Sequence, residues 1–298
     1  MADVTLIHDC DIMRRGDGSA PADFEGDFRD CFIYQDPNYT NENYGGNVYQ
    51  FHSGGVTGKE DNQLKYGLLR FDLRSFIPAS AVITAARWWF YVGTTSATAS
   101  HLFRLVRCRR TDWKELKATW NSYKDADNGQ AESGGPYNLT DNDKAWTTNQ
   151  WVNYRVRITG GTGLGQCRLI ASNSATTLTV STEWGAPDAT STYDILTPWT
   201  SPGASDPTYD RDTSVYVNIG ALDTAGWKNY DILTLVSDAW SNRAGVCTFL
   251  MERYDGLNEV GYALIHAKHY YVGAGPTLVH RLRITYTLDG KVFQVIVG

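Results

Sequence analysis

The sequence predicts an all-β protein, a jelly-roll-like β-sandwich with a small β-meander or barrel module inserted into it. Two observations carry that expectation. From Tyr66 to Val92 the apolar residues alternate instead of recurring every three or four positions, which is the period of a strand. Leu69, Phe71 and Leu73 share one face; after the break at Pro78, so do Ala86, Trp88, Phe90 and Val92. Helical spacing, by contrast, is scarce along the chain. Its best instance opens at Asp231, a good N-cap, with Ile232, Leu235, Val236, Ala239 and Trp240 following and Asn242 and Gly245 closing it.

Taken in order, residues 1–28 are polar after Ile7 and broken by Gly16, Gly18 and Pro21, and read as an arm with little fold of its own. Residues 29–128 hold the first sandwich segment, with strands over 30–121. Residues 124–144 are rich in Asp, Asn, Gly and Ser and read as a loop. Residues 129–197 form the insert, with strands expected at Val152–Ile158, Gln166–Ala171, Thr176–Ser181 and Thr192–Leu196. The second sandwich segment spans 198–288. Residues 289–298 are strongly β-prone, and such an apolar strand must pair with its own sheet or with a neighbouring subunit.

Composition narrows the function classes. The 42% hydrophobic and 13% aromatic content is ample for a core. With 27 basic and 33 acidic residues the net charge is −6, which argues against a nucleic-acid partner. No apolar run is long enough to span a membrane as a helix. The amino end lacks a basic and then apolar leader, so no secretory signal is expected. Cys10, Cys31, Cys108, Cys167 and Cys247 are odd in number and lack metal spacing. Buried thiols are expected, with a bridge between chains through Cys10 as the alternative.

Known chemistry is hard to place. The six histidines give no metal-binding helix motif, and His266 and His269 fall on opposite faces of a β-like stretch. Gly160 and Gly165 have phosphate-loop spacing, but Gln166 and Cys167 follow where lysine and Ser/Thr are needed; positive-φ turns explain these glycines better. A glycosidase pair cannot be singled out among the 33 carboxylates. Asp125 and Asp127 place oxygens at alternate positions and are candidate ligands for one structural calcium ion, although the loop lacks the Gly offset and the later Glu of an EF-hand. Asp206, Asp210 and Asp212 make a second acidic stretch. No other cofactor is expected, and no enzymatic activity.

The outer face of the long strand is more informative. Arg87, Trp89 and Tyr91 would lie opposite the core face, with Trp113 and Tyr123 as further aromatic candidates. Such residues stack on sugar rings, anchor subunit interfaces, or pack sheet on sheet. Subunit contact is the preferred reading. The glycosylation patterns at Asn38 and Asn138 are expected to be unused without a signal.

Two resemblances sharpen this. The Tyr66–Val92 block, the Arg29–Tyr34 strand followed by Asn43-Tyr44-Gly45, the segment Trp113, Glu115, Thr119-Trp120-Asn121, and the later Trp199–Ala204, Tyr230–Trp240 and Pro276–Leu278 stretches resemble the DNRLRE-type β-sandwich domain of surface-associated and carbohydrate-binding proteins. The chain departs from that pattern in the long stretch between Asn121 and Trp199, where a short loop is usual. There, Gly160–Val180 and Trp184–Tyr193 resemble a small β-module of bacteriophage virion and tail proteins. Together the resemblances imply a virion structural protein, made in the host cytoplasm: a capsid decoration, cement or tail-associated protein. The implied partners are further copies, with a trimer as the guess, and a major capsid or tail protein, with host glycan in addition. An extracellular carbohydrate-binding module is the alternative. A sequence trimmed before its first residue would reconcile the missing leader with that alternative.

Overall fold

The computed structural model describes residues 5–8, 28–35, 40–41, 43, 51–53, 64–95, 101–254, 263–265 and 280–297. They form an all-β fold with a single helix among the described residues. The first part of the chain gives β1 (Thr5–His8), β2 (Phe28–Tyr34), β3 (Phe51–Ser53), β4 (Lys65–Asp72), β5 (Val82–Thr95) and β6 (Leu102–Cys108). The middle gives β7 (Ser122–Gln130), β8 (Ser133–Gly135), β9 (Asn138–Thr140), β10 (Arg155–Gly160), β11 (Cys167–Asn173), β12 (Thr177–Val180) and β13 (Thr192–Pro198). The return gives β14 (Arg211–Ala221), β15 (Gly226–Asp231), α1 (Leu233–Asn242), β16 (Val246–Arg253), β17 (Ala263–Ile265), β18 (Arg281–Leu288) and β19 (Lys291–Val297).

The chain divides into two compact units, one of residues 1–120 with 203–298 and one of 121–202. The first is a β-sandwich. One sheet runs β1-β19-β18-β5-β17-β3 with β15 added on β5; the other runs β14-β6-β16-β4-β2. Among the described residues every pairing in these sheets is antiparallel except β1 with β19, where Leu6 lies opposite Val295. The core lies between the sheets. Ala86, Trp88, Phe90 and Val92 of β5 are fully buried and meet Leu69 and Phe71 of β4 and Phe249 of β16. The Trp88 and Phe249 rings lie 5.7 Å apart in an edge-on pair, the favoured arrangement for aromatic quadrupoles.

The helix begins at Leu233, just after the expected cap. Its N-cap position is therefore Ile232 and not the expected Asp231, although the Asp231 Oδ1 accepts the Leu233 N–H at 2.9 Å from just outside the helix. Leu235, Val236 and Ala239 are buried on the sandwich core. Gly245 adopts φ +77° and donates its N–H to Ala239 O at 3.0 Å, the same carbonyl that accepts the Arg243 N–H, which closes the last turn.

The outer face of the five-stranded sheet is buried too. Leu68 of β4, Val106 of β6 and Leu250 of β16 are inaccessible. The segment 109–120 returns over them: Thr111 O accepts Arg70 Nε at 2.9 Å, and Trp113 O accepts Arg29 Nη1 at 2.7 Å. Ion pairs cross this sheet and tie it to α1. Glu252 takes Arg104 at 2.6 Å and Arg211 at 2.5 Å; Asp212 takes Arg107 and also Arg109 at 2.7 Å; Asp238 takes Arg107 at 2.6 Å and Arg243 at 3.1 Å.

The inserted unit is an open sheet of order β7-β13-β10-β11-β12-β9-β8. It has its own core, which includes Trp146, Trp151, Val156, Ile170, Leu178, Trp184 and Ile195. It is wider than the expected 129–197, because the boundary placed at 128/129 falls inside β7. Its entry and exit lie side by side, with Ser122 opposite Pro198. On the sandwich side of that crossing, Gly203 donates its N–H to Trp120 O at 2.6 Å. Gly203 has φ +74°, and a Cβ there would come within 2.4 Å of the Trp120 indole, so only glycine fits.

Two further expectations are corrected, and a third is decided between its two alternatives. Residues 124–144 are not a loop throughout, since β7, β8 and β9 occupy much of them. The arm is not wholly without structure, since Thr5–His8 pairs with β19. The final strand pairs with its own sheet through β18. The glycines of 160–165 do serve turns: Gly161, Gly163 and Gly165 all have positive φ. Cys31, Cys108, Cys167 and Cys247 are buried and outside any disulfide. Burial pushes the Cys108 and Cys247 thiols up to about 12, so both are inert at neutral pH. Cys10, His266 and His269 lie outside the described residues.

Candidate functional site

The alternation of β5 sets its two faces apart. While Trp88 and Phe90 fill the core, Arg87 is exposed and Trp89 and Tyr91 are half-buried on the outer side. The sequence placed these three on one face, and they are there. The register adds neighbours on both sides. On β15, Trp227 lies opposite Tyr91, Asn229 opposite Trp89 and Asp231 opposite Arg87. On β18, Arg281 lies opposite Trp89 and Arg283 opposite Arg87. The outer face therefore gathers two tryptophans, a tyrosine and three arginines across three strands.

Together these side chains form a platform on the outer face of the sheet. The Trp227 ring, 39% exposed, meets Tyr91 edge-on with centroids 5.7 Å apart. The Arg281 guanidinium lies 5.2 Å above the Trp227 centroid, within cation–π range. Arg283 Nη2 donates to Gln294 Oε1 at 2.5 Å, and Gln294 Nε2 donates on to Thr285 Oγ1 at 3.2 Å. Among the described residues no carboxylate forms an ion pair with Arg87, Arg281 or Arg283. Trp227, Arg281 and Arg283 are the members that sequence reasoning missed. Their signal was present in the alternation Gly226-Trp-Lys-Asn-Tyr-Asp231 and Arg281-Leu-Arg-Ile284, but assigning them to this face requires knowing which strands flank β5.

The other two aromatic candidates are not on this face, and both are corrected. Trp113 belongs to the returning segment 109–120 and is fully buried. Tyr123 is 5% exposed and packs on Trp199 at 5.0 Å within the inserted unit. Neither can reach a glycan or a second subunit from such a position.

The acidic candidates are also rearranged. Asp127 lies on β7, where its carboxylate accepts Trp146 Nε1 at 2.7 Å and Lys144 Nζ at 3.0 Å. Burial opposes ionisation there, but these donors outweigh it and hold the carboxyl below the ordinary range. Asp125 stands two residues away on the same bent strand, opposite Leu196, while Asp127 is opposite Ile195, with a register shift between them. Asp210 and Asp212 face Arg110 and Arg107 instead of one another. The carboxylates that do converge are Glu132, Asp141 and Asp143, whose oxygens lie within 4.8 Å of one another. Asp141 is buried, and its Oδ2 accepts the Tyr193 hydroxyl at 2.6 Å; Glu132 and Asp143 are exposed. Burial first, then this hydrogen bond and the nearby negative charge, push the Tyr193 phenol far above its usual range.

No known protein-family model matches the chain, and no curated protein sequence matches it either.

Proposed function

We propose that this chain is a non-enzymatic structural protein of a bacteriophage particle, a capsid decoration or cement protein or a tail-associated one, acting through subunit interfaces. The observation that carries this reading is the platform of Trp89, Tyr91 and Trp227 with Arg87, Arg281 and Arg283. Aromatic and arginine side chains are the residue types that anchor interfaces. A rigid sheet presents them at low entropic cost, because their strands are fixed on the opposite side by fully buried residues such as Trp88 and Phe90. A standard interface buries about 1,600 Å² in total, and repetition around a closed ring, with three copies as the proposed number, would multiply that contribution. The resemblances to DNRLRE-type sandwiches and to a virion β-module support the same reading.

The test is quantitative mass spectrometry of purified particles from the source of the sequence. Hundreds of copies relative to the major shell protein are the result for a decoration protein, and a few to a few tens for a tail component. Absence of the chain sinks the virion reading.

A second reading, a carbohydrate-binding module, is favoured by the exposed Trp227 ring with Arg281 stacked over it. Trp89→Ala separates the two. Loss of glycan binding with an intact oligomer supports the module, whereas loss of the oligomer supports assembly.

A further inference from the structure

Arg87 and Arg283 are directly opposite one another on adjacent antiparallel strands. Like charges at such positions destabilise a sheet, and Arg281 adds a third cation two residues along the same face of β18. Asp231 lies on the far side of Arg87 with its Oδ1 accepting the Leu233 N–H, and it offsets one of these three positive charges. The platform is thus a local excess of positive charge on a chain whose net charge is −6. The inserted unit carries the converse. Glu132, Asp141 and Asp143 crowd three carboxylates together, with Glu132 and Asp143 exposed at the surface. Lys144, the adjacent cation, is turned to Asp127. Each patch holds like charges together at a cost, and each would be relieved by the other.

We propose that the arginine platform of one copy docks on the Glu132–Asp143 carboxylate lip of a second copy, head to tail. This rests on the assembly reading above. Two different patches meet in such a contact, so it is heterologous and generates a closed ring or an open filament instead of a two-fold dimer. Trp227 and Tyr91 supply the apolar centre, and the charges set register and orientation. Charge pairs at the rim of an interface are screened by salt, over about 10 Å at 0.1 M and about 3 Å at 1 M, so association must weaken as salt rises.

The experiment measures self-association of the full chain by analytical ultracentrifugation at low and high salt. It uses the wild type, the double variant R281E/R283E, the double variant E132K/D143K, and the quadruple variant that combines them. All four substituted side chains are exposed, and far-UV circular dichroism with a thermal melt checks that each variant is folded. The expected result is an oligomer for the wild type, a Kd raised at least tenfold for each double variant, and recovery in the quadruple variant, which self-associates but does not co-assemble with wild type. A wild type that stays monomeric at low salt overturns the proposal. So does an oligomer lost with R281E/R283E, kept with E132K/D143K and not restored in the quadruple variant; the platform then docks elsewhere. Failure of the virion reading is separable. A charge-swappable oligomer absent from particles sinks that reading alone, and a chain abundant in particles but monomeric when isolated sinks only this docking.

Discussion

At the scale of single residues, burial separates tryptophans that look alike in sequence. Trp113 and Trp89 were both candidates for an exposed aromatic face, yet Trp113 is fully buried and Trp89 is half-buried on the platform. Trp113→Ala removes a whole buried indole from the 109–120 segment and should lower stability by about 3–5 kcal/mol, the usual range for a large aromatic lost from a core. Trp89→Ala leaves its side of the sheet open to solvent and should cost well under half of that. Urea unfolding of the two variants decides the matter, and a comparable loss in both would mean that Trp89 is a core residue. The difference was legible for Trp89 because alternation within one strand assigns faces. It was illegible for Trp113, because its burial depends on a non-local return of the chain over a sheet whose outer face is itself apolar, through Leu68, Val106 and Leu250.

At the scale of elements, β5 and the helix could be read in advance because their periods are strong and their ends carry punctuation: Pro78 before β5, and Asp231 and Gly245 around α1. The strand β7 could not. Its residues, Ser-Tyr-Lys-Asp-Ala-Asp-Asn-Gly-Gln, are poor strand formers, and only pairing with β13 makes them one. The ion pairs across the five-stranded sheet were equally hidden, since Arg107, Asp212 and Asp238 are far apart in sequence. They make a prediction about acid. Burial alone would raise the Asp212 carboxyl, but hydrogen bonds from the Ser214 hydroxyl and N–H, then the Arg107 guanidinium, hold it down to about 2 against an ordinary 3.8. A depressed carboxyl contributes stability that is complete above its unfolded value and disappears as pH falls through its folded one. Asp212 should therefore contribute about 2 kcal/mol above pH 4, lost between about pH 4 and pH 2. Denaturation curves of wild type and D212N across that window check it. The gap between the two proteins should shrink toward pH 2, and a gap independent of pH would refute the assignment.

At the scale of the whole molecule, the interruption of one fold by another was visible as a change of pattern, but its edges were not, because the joining strands are the polar ones. The structure places the edges where the chain can be cut. Residues 121–202 have their own core around Trp146, Trp151 and Trp184, and their two ends are held together by the Ser122–Pro198 pairing. On the other side, Trp120 and Gly203 are joined by a 2.6 Å hydrogen bond. A unit with adjacent ends and a private core satisfies the conditions for folding alone. Residues 121–202 expressed by themselves should melt cooperatively, with near-ultraviolet circular dichroism from packed tryptophans. The remaining chain, closed from Trp120 to Gly203 by a short glycine-serine link, should keep the platform of β5, β15 and β18 intact. Noncooperative melting of the isolated unit would mean that its core needs the sandwich to form. Success with both pieces would permit a sharper experiment on assembly: the closed sandwich carries the arginine platform without the carboxylate lip, so it should bind the isolated 121–202 unit in trans, and bind it less tightly as salt increases.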